Sequence, residues 1–372
     1  MERKDILFGP ERAWAPPRSP FEAERGMREQ RMINRRSFLK LSGLLGAGMA
    51  TLALLPAAAE AVKFDRKRYK VSTTRPALGT VVSMTLIHES RDRAQEAMGR
   101  AFEEMDRLAG ILNRYDSVTA VGLLNHEGRL ADAPPEVREV VSRAMHHYRL
   151  TGGAFDITVK PVVDLFKGLH ETPGPLKVPA DELERVLKLV DARGIVLGPR
   201  EIRFSQPGMG VTLDGIAKGY IVDRASDLLE RLGIPNHLVN AGGDIRTRGE
   251  RPDGKPWSVA IQDPDKKGNY PDVIRMRDGA VATSGNYEVY FDREKMAHHI
   301  VDPGSGRSPR LHASVSVRAG TAMDADALAT GVFVMKPAQG LRLIEDLPDC
   351  DNFDIERSGK TWKSAGWRSA AT

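Results

Sequence analysis

Nine apolar residues recur at helical spacing between Asp92 and about Asn113: Ala94, Ala97, Met98, Ala101, Phe102, Met105, Leu108, Ala109 and Leu112. An apolar stripe that long cannot stay in water, so the chain must supply a core to cover it. The neighbouring patterns say what kind. β-rich runs are short and close in sequence: Gly79–Ile87, Gly194–Leu197 and Glu201–Phe204 around Gly198-Pro199, His237–Asn240, Trp257–Ile261 and Ala280–Ser284. Helical patterns lie between them, from Pro135 to about Leu150 before Thr151-Gly152-Gly153, from Asp181 to Val190, and from Ile216 to Leu232 before Gly233. Residues 168–180 are rich in Gly and Pro and read as a loop. Short strands interleaved with helices predict an α+β fold with mostly antiparallel pairing, not a doubly wound parallel sheet. No G-x-G-x-x-G fingerprint follows a strand, which counts against a Rossmann oxidoreductase.

Charge narrows the partners. The net charge is +5, but residues 1–59 hold ten Lys/Arg and six Asp/Glu, a net of +4, which leaves +1 for the rest. That balance gives no reason to expect nucleic acid or an anionic surface as partner. The single cysteine, Cys350, rules out an intramolecular disulfide and a thiolate metal site, and is expected to be buried.

The N-terminus reads as an address. Asn34-Arg35-Arg36-Ser37-Phe38-Leu39-Lys40 is a twin-arginine pattern, followed by a small, apolar stretch from Leu41 to Ala57-Ala58-Ala59. Gly43, Gly46, Gly48 and Pro56 weaken it as a membrane span. The expectation is export by the twin-arginine route and a periplasmic location, with residues 1–60 as leader and residues 61–372 as one folded domain.

Several stretches carry chemistry. Thr321, three residues before Asp324, resembles a capping box, so a helix starts there. Asp326 and Thr330 are four apart and share one helical face. A carboxylate and a hydroxyl so placed suit a hard cation such as magnesium, although a solvated capped helix explains them as well. In Gly210–Tyr220 a β run meets a glycine-containing bend and then a helix. Free N–H groups at a helix start attract phosphate, and Lys218 lies in the first turn; the spacing is not that of a P-loop. Tyr115 offers a ring to stack on or a structural anchor. Ala154-Phe155-Asp156 is either a ligand edge or the start of a strand. Gly242-Gly243 lets the backbone turn or approach a ligand closely. His298 and His299 point opposite ways on a strand, so one of them at most lines a given site, where it could take a proton from a hydroxyl.

Ala77–Thr80, Ala154–Asp156, Thr212–Tyr220, Ala241–Ile245, Thr283–Tyr287, His299–Pro303 and Ala322–Thr330 follow one another in an order that resembles the ApbE family of FAD:protein FMN transferases. The resemblance runs from about residue 75 to 337. It implies a T-fold-like α+β architecture. It implies FAD as donor, magnesium as cofactor, transfer of FMN to a Thr or Ser hydroxyl of an acceptor flavoprotein, and release of AMP. It implies Asp326, Thr330 and the Gly215 carbonyl as metal ligands, and His299 as base. FAD contacts fall at Leu78, Tyr115, Ala154, Phe155, Asp156, Thr212, Lys218 and Ile300. Acceptors by the same resemblance are subunits of respiratory quinone reductases or Rnf-type complexes, or periplasmic flavin reductases. Arg307, like Lys218, is a candidate for added positive charge. Two positions depart from the family pattern: many relatives have Asp where this chain has Thr212, with an Asp two residues on at Asp214, and many have Met where this chain has Leu78. Competing readings are a magnesium-dependent FAD pyrophosphatase, a non-catalytic periplasmic flavin-binding protein, and a redox flavoprotein, for which no nicotinamide site is visible.

Overall fold

The computed structural model describes residues 33–34, 60–63, 68–170, 178–265, 268–286 and 298–370. The twin-arginine motif from Arg35, the apolar stretch after it, Tyr287 and residues 171–177 lie outside them.

Nine strands form the main sheet: β1 (Glu60–Lys63), β2 (Tyr69–Ala77), β3 (Thr80–His88), β4 (Asn236–Ala241), β5 (Asp244–Arg248), β6 (Gly279–Gly285), β7 (His312–Ala319), β8 (Asp351–Glu356) and β9 (Thr361–Lys363). Each pairs only with its neighbours in this order, and every pairing is antiparallel. The antiparallel expectation therefore holds, and the sheet is a single meander interrupted by helical insertions.

The insertions are α1 (Arg91–Leu112), α2 (Ala120–Glu127), α3 (Pro135–Leu150), α4 (Lys160–His170), α5 (Ala180–Leu187), α6 (Ala217–Arg231), α7 (Ala322–Val334) and α8 (Pro337–Glu345). The α1 stripe is buried as its spacing requires, from Ala94 to Leu112. Strand parity sorts the two faces of the sheet. Val239, Ala241, Ala280 and Ala282 face the helices, while Ile245, Val281, Phe353 and Ile355 face a hairpin of Trp257–Ile261 and Asp272–Met276. A three-stranded sheet of Arg129–Leu130, Ile202–Phe204 and Ile195–Leu197 contains the expected hairpin. Near the N-terminus, Ile33–Asn34 pairs with Asn269–Tyr270, so that segment contributes two residues of strand.

α7 carries small and apolar residues on most of its faces because it is mostly buried. Its small residues let α6 come close: a Cβ on Gly219 would stand 2.3 Å from the Ala322 carbonyl oxygen. Its start is fixed from outside as well as within. The Asp223 carboxylate on α6 accepts from the Ala322 and Met323 N–H groups at 2.9 Å each, and Thr321 Oγ1 accepts from Asp324 N at 3.1 Å. Arg143 and His147 on α3 then grip the Asp324 carboxylate at 2.6–2.8 Å.

Some expectations change. Residues 154–159 are not a strand: Asp156 caps a 3₁₀ turn, Ile157–Val159, that runs into α4. Residues 210–213 join no strand: Asn125 holds both backbone groups of Val211, and Thr212 N–H donates to Ile157 O. Cys350 is half-buried, and burial pushes its thiol up to about 11.

Candidate active site

One end of the sheet gathers the chain's tight turns. Ala77 pairs with Thr80 across Leu78-Gly79, and Ala241 pairs with Asp244 across Gly242-Gly243. Val82 opposite Ala241 sets the two turns side by side. All four turn residues have positive φ, including Leu78 at 54°, an uncommon angle for a residue with a Cβ. A Cβ on Gly242 would stand 2.3 Å from Thr80 Oγ1, so a glycine is required there on both counts. The end of β6 and the start of β7, paired at Gly285 and Ser314, lie at this same end.

The polar cluster sits here on the helix face. Asp326 is 6% exposed, and its Oδ2 accepts from Gly219 N, in the first turn of α6, at 3.1 Å. One turn further along α7, Thr330 Oγ1 lies 3.2 Å from Ser284 Oγ. A Cβ on Gly215 would stand 2.8 Å from Thr330 Oγ1, so the segment before α6 presses directly on the Thr330 hydroxyl. Asp244 is 2% exposed, and Lys218 Nζ stands 3.5 Å from its Oδ2, an ion pair rather than a hydrogen bond. Burial first, then the Asp244 charge, push the Asp326 carboxyl well above the usual range. Burial also raises Asp244, opposed by Lys218. Two buried carboxylates, a hydroxyl and a backbone held beside it by a missing side chain form an oxygen-only donor set. That set fits a hard divalent cation.

The other expected residues surround this cluster. The loop 151–156 runs against α7 at Gly331, where a Cβ would stand 2.9 Å from Thr151 Cγ2 and 3.2 Å from Phe155 Cβ. Phe155 is a core side chain, 3% exposed and edge-on to His147. The Asp156 carboxylate is committed to Thr158 N and Oγ1 at 2.7 and 2.6 Å and to Ala192 N at 3.0 Å. The loop, including Thr151, Ala154 and Asp156, lines a cleft of about 690 Å³ opposite Asp191, Asp302 and Met335. The cleft does not include Asp326 or Thr330; Phe155 packed on Gly331 connects the two. Thr212 is buried, donates its N–H to Ile157 O at 2.8 Å and accepts from Asp214 N at 3.3 Å.

His298 and His299 do not lie in a strand, contrary to the expectation, but they still differ in burial. His298 is buried, its Nε2 donating to Pro309 O at 3.0 Å, with Phe333 of α7 edge-on. His299 is half-buried, and its neighbour Ile300 belongs to the apolar cluster of α7 with Leu328, Ala329 and Val332. Arg307 is exposed and closes a turn with Asp302. Leu78 is half-buried against the main core, and Tyr115 is 66% exposed.

Three participants were not among the expected site residues. Ser284 was legible in strand parity, two residues beyond Ala282 on the helix-facing side of β6. Asp244 follows the quoted Gly-Gly turn, but its burial is tertiary. Arg114, described below, carried no local signal.

The family model described as the ApbE family matches residues 78–353, which contain every residue of the cluster. The chain belongs to the ApbE family. The FAD:protein FMN transferase of Salmonella typhimurium is 30% identical over 312 residues, covering 78% of this chain and 87% of that relative. Two ApbE structures share the fold. The ApbE protein of Thermotoga maritima superposes with a TM-score of 0.71 at 29% identity, over 80% of this chain and 97% of that one. The flavin transferase ApbE of Vibrio cholerae does so with a TM-score of 0.67 at 29% identity, over 83% and 98%. The α+β, antiparallel ApbE architecture is therefore the fold of this chain.

Proposed function

We propose that this chain transfers the FMN half of FAD to a Thr or Ser hydroxyl of an acceptor flavoprotein and releases AMP. The observation that carries this reading is the meeting of Gly215, Thr330 and Asp326 beside the Lys218–Asp244 pair, in a chain whose relatives bear that activity in their names. The hydroxyl oxygen bonds to the FMN phosphorus as the bond from that phosphorus to the bridging oxygen breaks, and AMP leaves with that oxygen. The hydroxyl proton goes to His299, the half-buried member of its histidine pair. Asp326, Thr330 and the Gly215 carbonyl would hold magnesium, which when bound neutralises charge on the pyrophosphate oxygens. Lys218 adds a fixed positive charge at the start of α6. The loop 154–156, Thr212, Leu78 and Ile300 shape the flavin side, with Tyr115 offering its exposed ring.

The N-terminal sequence supports the same reading. The twin-arginine pattern at Asn34–Lys40 and the small, apolar stretch ending at Ala59 suit delivery of a folded protein to the periplasm, with acceptors among flavoproteins there.

The test mixes the protein with FAD, magnesium and a flavoprotein domain bearing a candidate acceptor Thr. Mass spectrometry then looks for a covalent gain of one FMN, with AMP released and both lost on adding EDTA. Free FMN and AMP without an adduct for any acceptor would mark a pyrophosphatase. FAD held intact, with no AMP, would mark a flavin-binding protein.

A further inference from the structure

Arg114 is buried beside the site without touching the polar cluster. Its side chain is only 7% exposed although it follows the end of α1 at the surface. Its Nε donates to Asp214 Oδ2 at 3.0 Å, its Nη2 donates to Tyr115 Oη at 3.0 Å, and Asp164 Oδ1 on α4 lies 3.5 Å from its Nη1. The guanidinium carbon sits 4.3 Å from the centre of the Tyr115 ring. One planar cation thus ties three segments: the loop after α1, α4, and the loop that leads into Gly215.

Each tie has a consequence. Tyr115 is 66% exposed, so little apolar packing holds its ring; the bond to its hydroxyl and the cation over its face do so instead. The loop is already stiff, with Asn113 Oδ1 accepting from Tyr115 N and Thr119 bridging Asn113 O and Asp116 O. Asp214 is the residue immediately before Gly215, whose backbone presses on Thr330. A rigid fork can serve both ends at once; an ammonium cannot reproduce it.

We propose that Arg114 is a positioning residue that fixes the Tyr115 ring relative to the Asp214–Gly215 segment, so that a flat heteroaromatic ligand meets a preset ring beside the polar cluster. This rests on the flavin reading above. An untethered Tyr115 would have to be ordered at each binding event, so the loss appears in FAD affinity and not in the chemical step.

The experiment measures FAD binding directly, by quenching of flavin fluorescence in EDTA where no turnover occurs, beside AMP release at saturating FAD. Arg114→Met, Arg114→Lys and Asp214→Asn should each weaken FAD binding by roughly tenfold, and Arg114→Met/Asp214→Asn should be no worse than the weaker-binding single variant. Turnover at saturation should stay within about threefold, a split that mere loss of fold would not produce. Wild-type affinity in Arg114→Lys and Asp214→Asn, or losses that add in the double variant, would overturn the proposal. A wild-type protein that binds no FAD would instead overturn the flavin reading on which it stands.

Discussion

Gly215 and Thr330 approach so closely that a single methyl group would not fit between them: a Cβ at residue 215 would lie 2.8 Å from Thr330 Oγ1 and 3.1 Å from its Cγ2. Gly215→Ala should therefore push the segment before α6 off α7. The expected result is a fall in AMP release of about a hundredfold, the scale of a 1 Å misplacement, with a stability cost of about 1–3 kcal/mol. Activity and urea unfolding, measured on the same preparation, check both.

Asp326 should matter for metal and not for folding. Magnesium bound at the proposed site should raise the melting temperature of the wild type by mass action, and Asp326→Asn should abolish that rise along with turnover. In EDTA the variant should melt no lower than the wild type, since the amide oxygen can still accept from Gly219 and the repulsion with Asp244 is gone. A magnesium-dependent melting shift surviving in Asp326→Asn would remove that residue from the ligand set.

His299→Ala should slow transfer while leaving FAD affinity nearly intact, with a loss of about 10²–10⁴-fold in turnover, the range of general-base contributions. Normal turnover at saturating FAD with weakened binding would make His299 a binder. His298 is the internal control: its Nε2 is spent on Pro309 O inside the fold, so His298→Asn should chiefly lower stability.

His237 predicts a pH dependence remote from the site. It is fully buried between Ser226 Oγ and Ile234 O, at 2.7 Å each, and burial, then the Arg248 and Arg246 charges, push it down to about 4 from 6.5. Below pH 6.5 the unfolded chain binds a proton that the folded chain refuses until about pH 4. Stability must therefore fall as the pH drops through that window, by up to about 3 kcal/mol. Urea midpoints between pH 7 and pH 4 should fall less steeply in His237→Gln.

The sequence by itself determined the elements whose signal is local. The α1 stripe, the capped start of α7 at Thr321, the stops at Gly152-Gly153 and Gly233, and the hairpin at Gly198-Pro199 each follow from a few residues acting on their neighbours. Asp326 and Thr330 were legible as a pair because four residues make one helical turn. The motif order pointed to the family. Tertiary structure decided what depends on distant partners. Residues 154–159 read equally as a ligand edge or the start of a strand, and Asp156 closed them into a turn instead. Residues 210–213 joined no strand, and Asn125, far back in the chain, took both backbone bonds of Val211. The burial of Asp244, the meeting of Ser284 with Thr330 and the reach of Arg114 to Asp214 join residues separated by scores of positions. No local pattern encodes them, because a hydrogen bond or ion pair across such a gap forms only after the sheet and helices have been packed together.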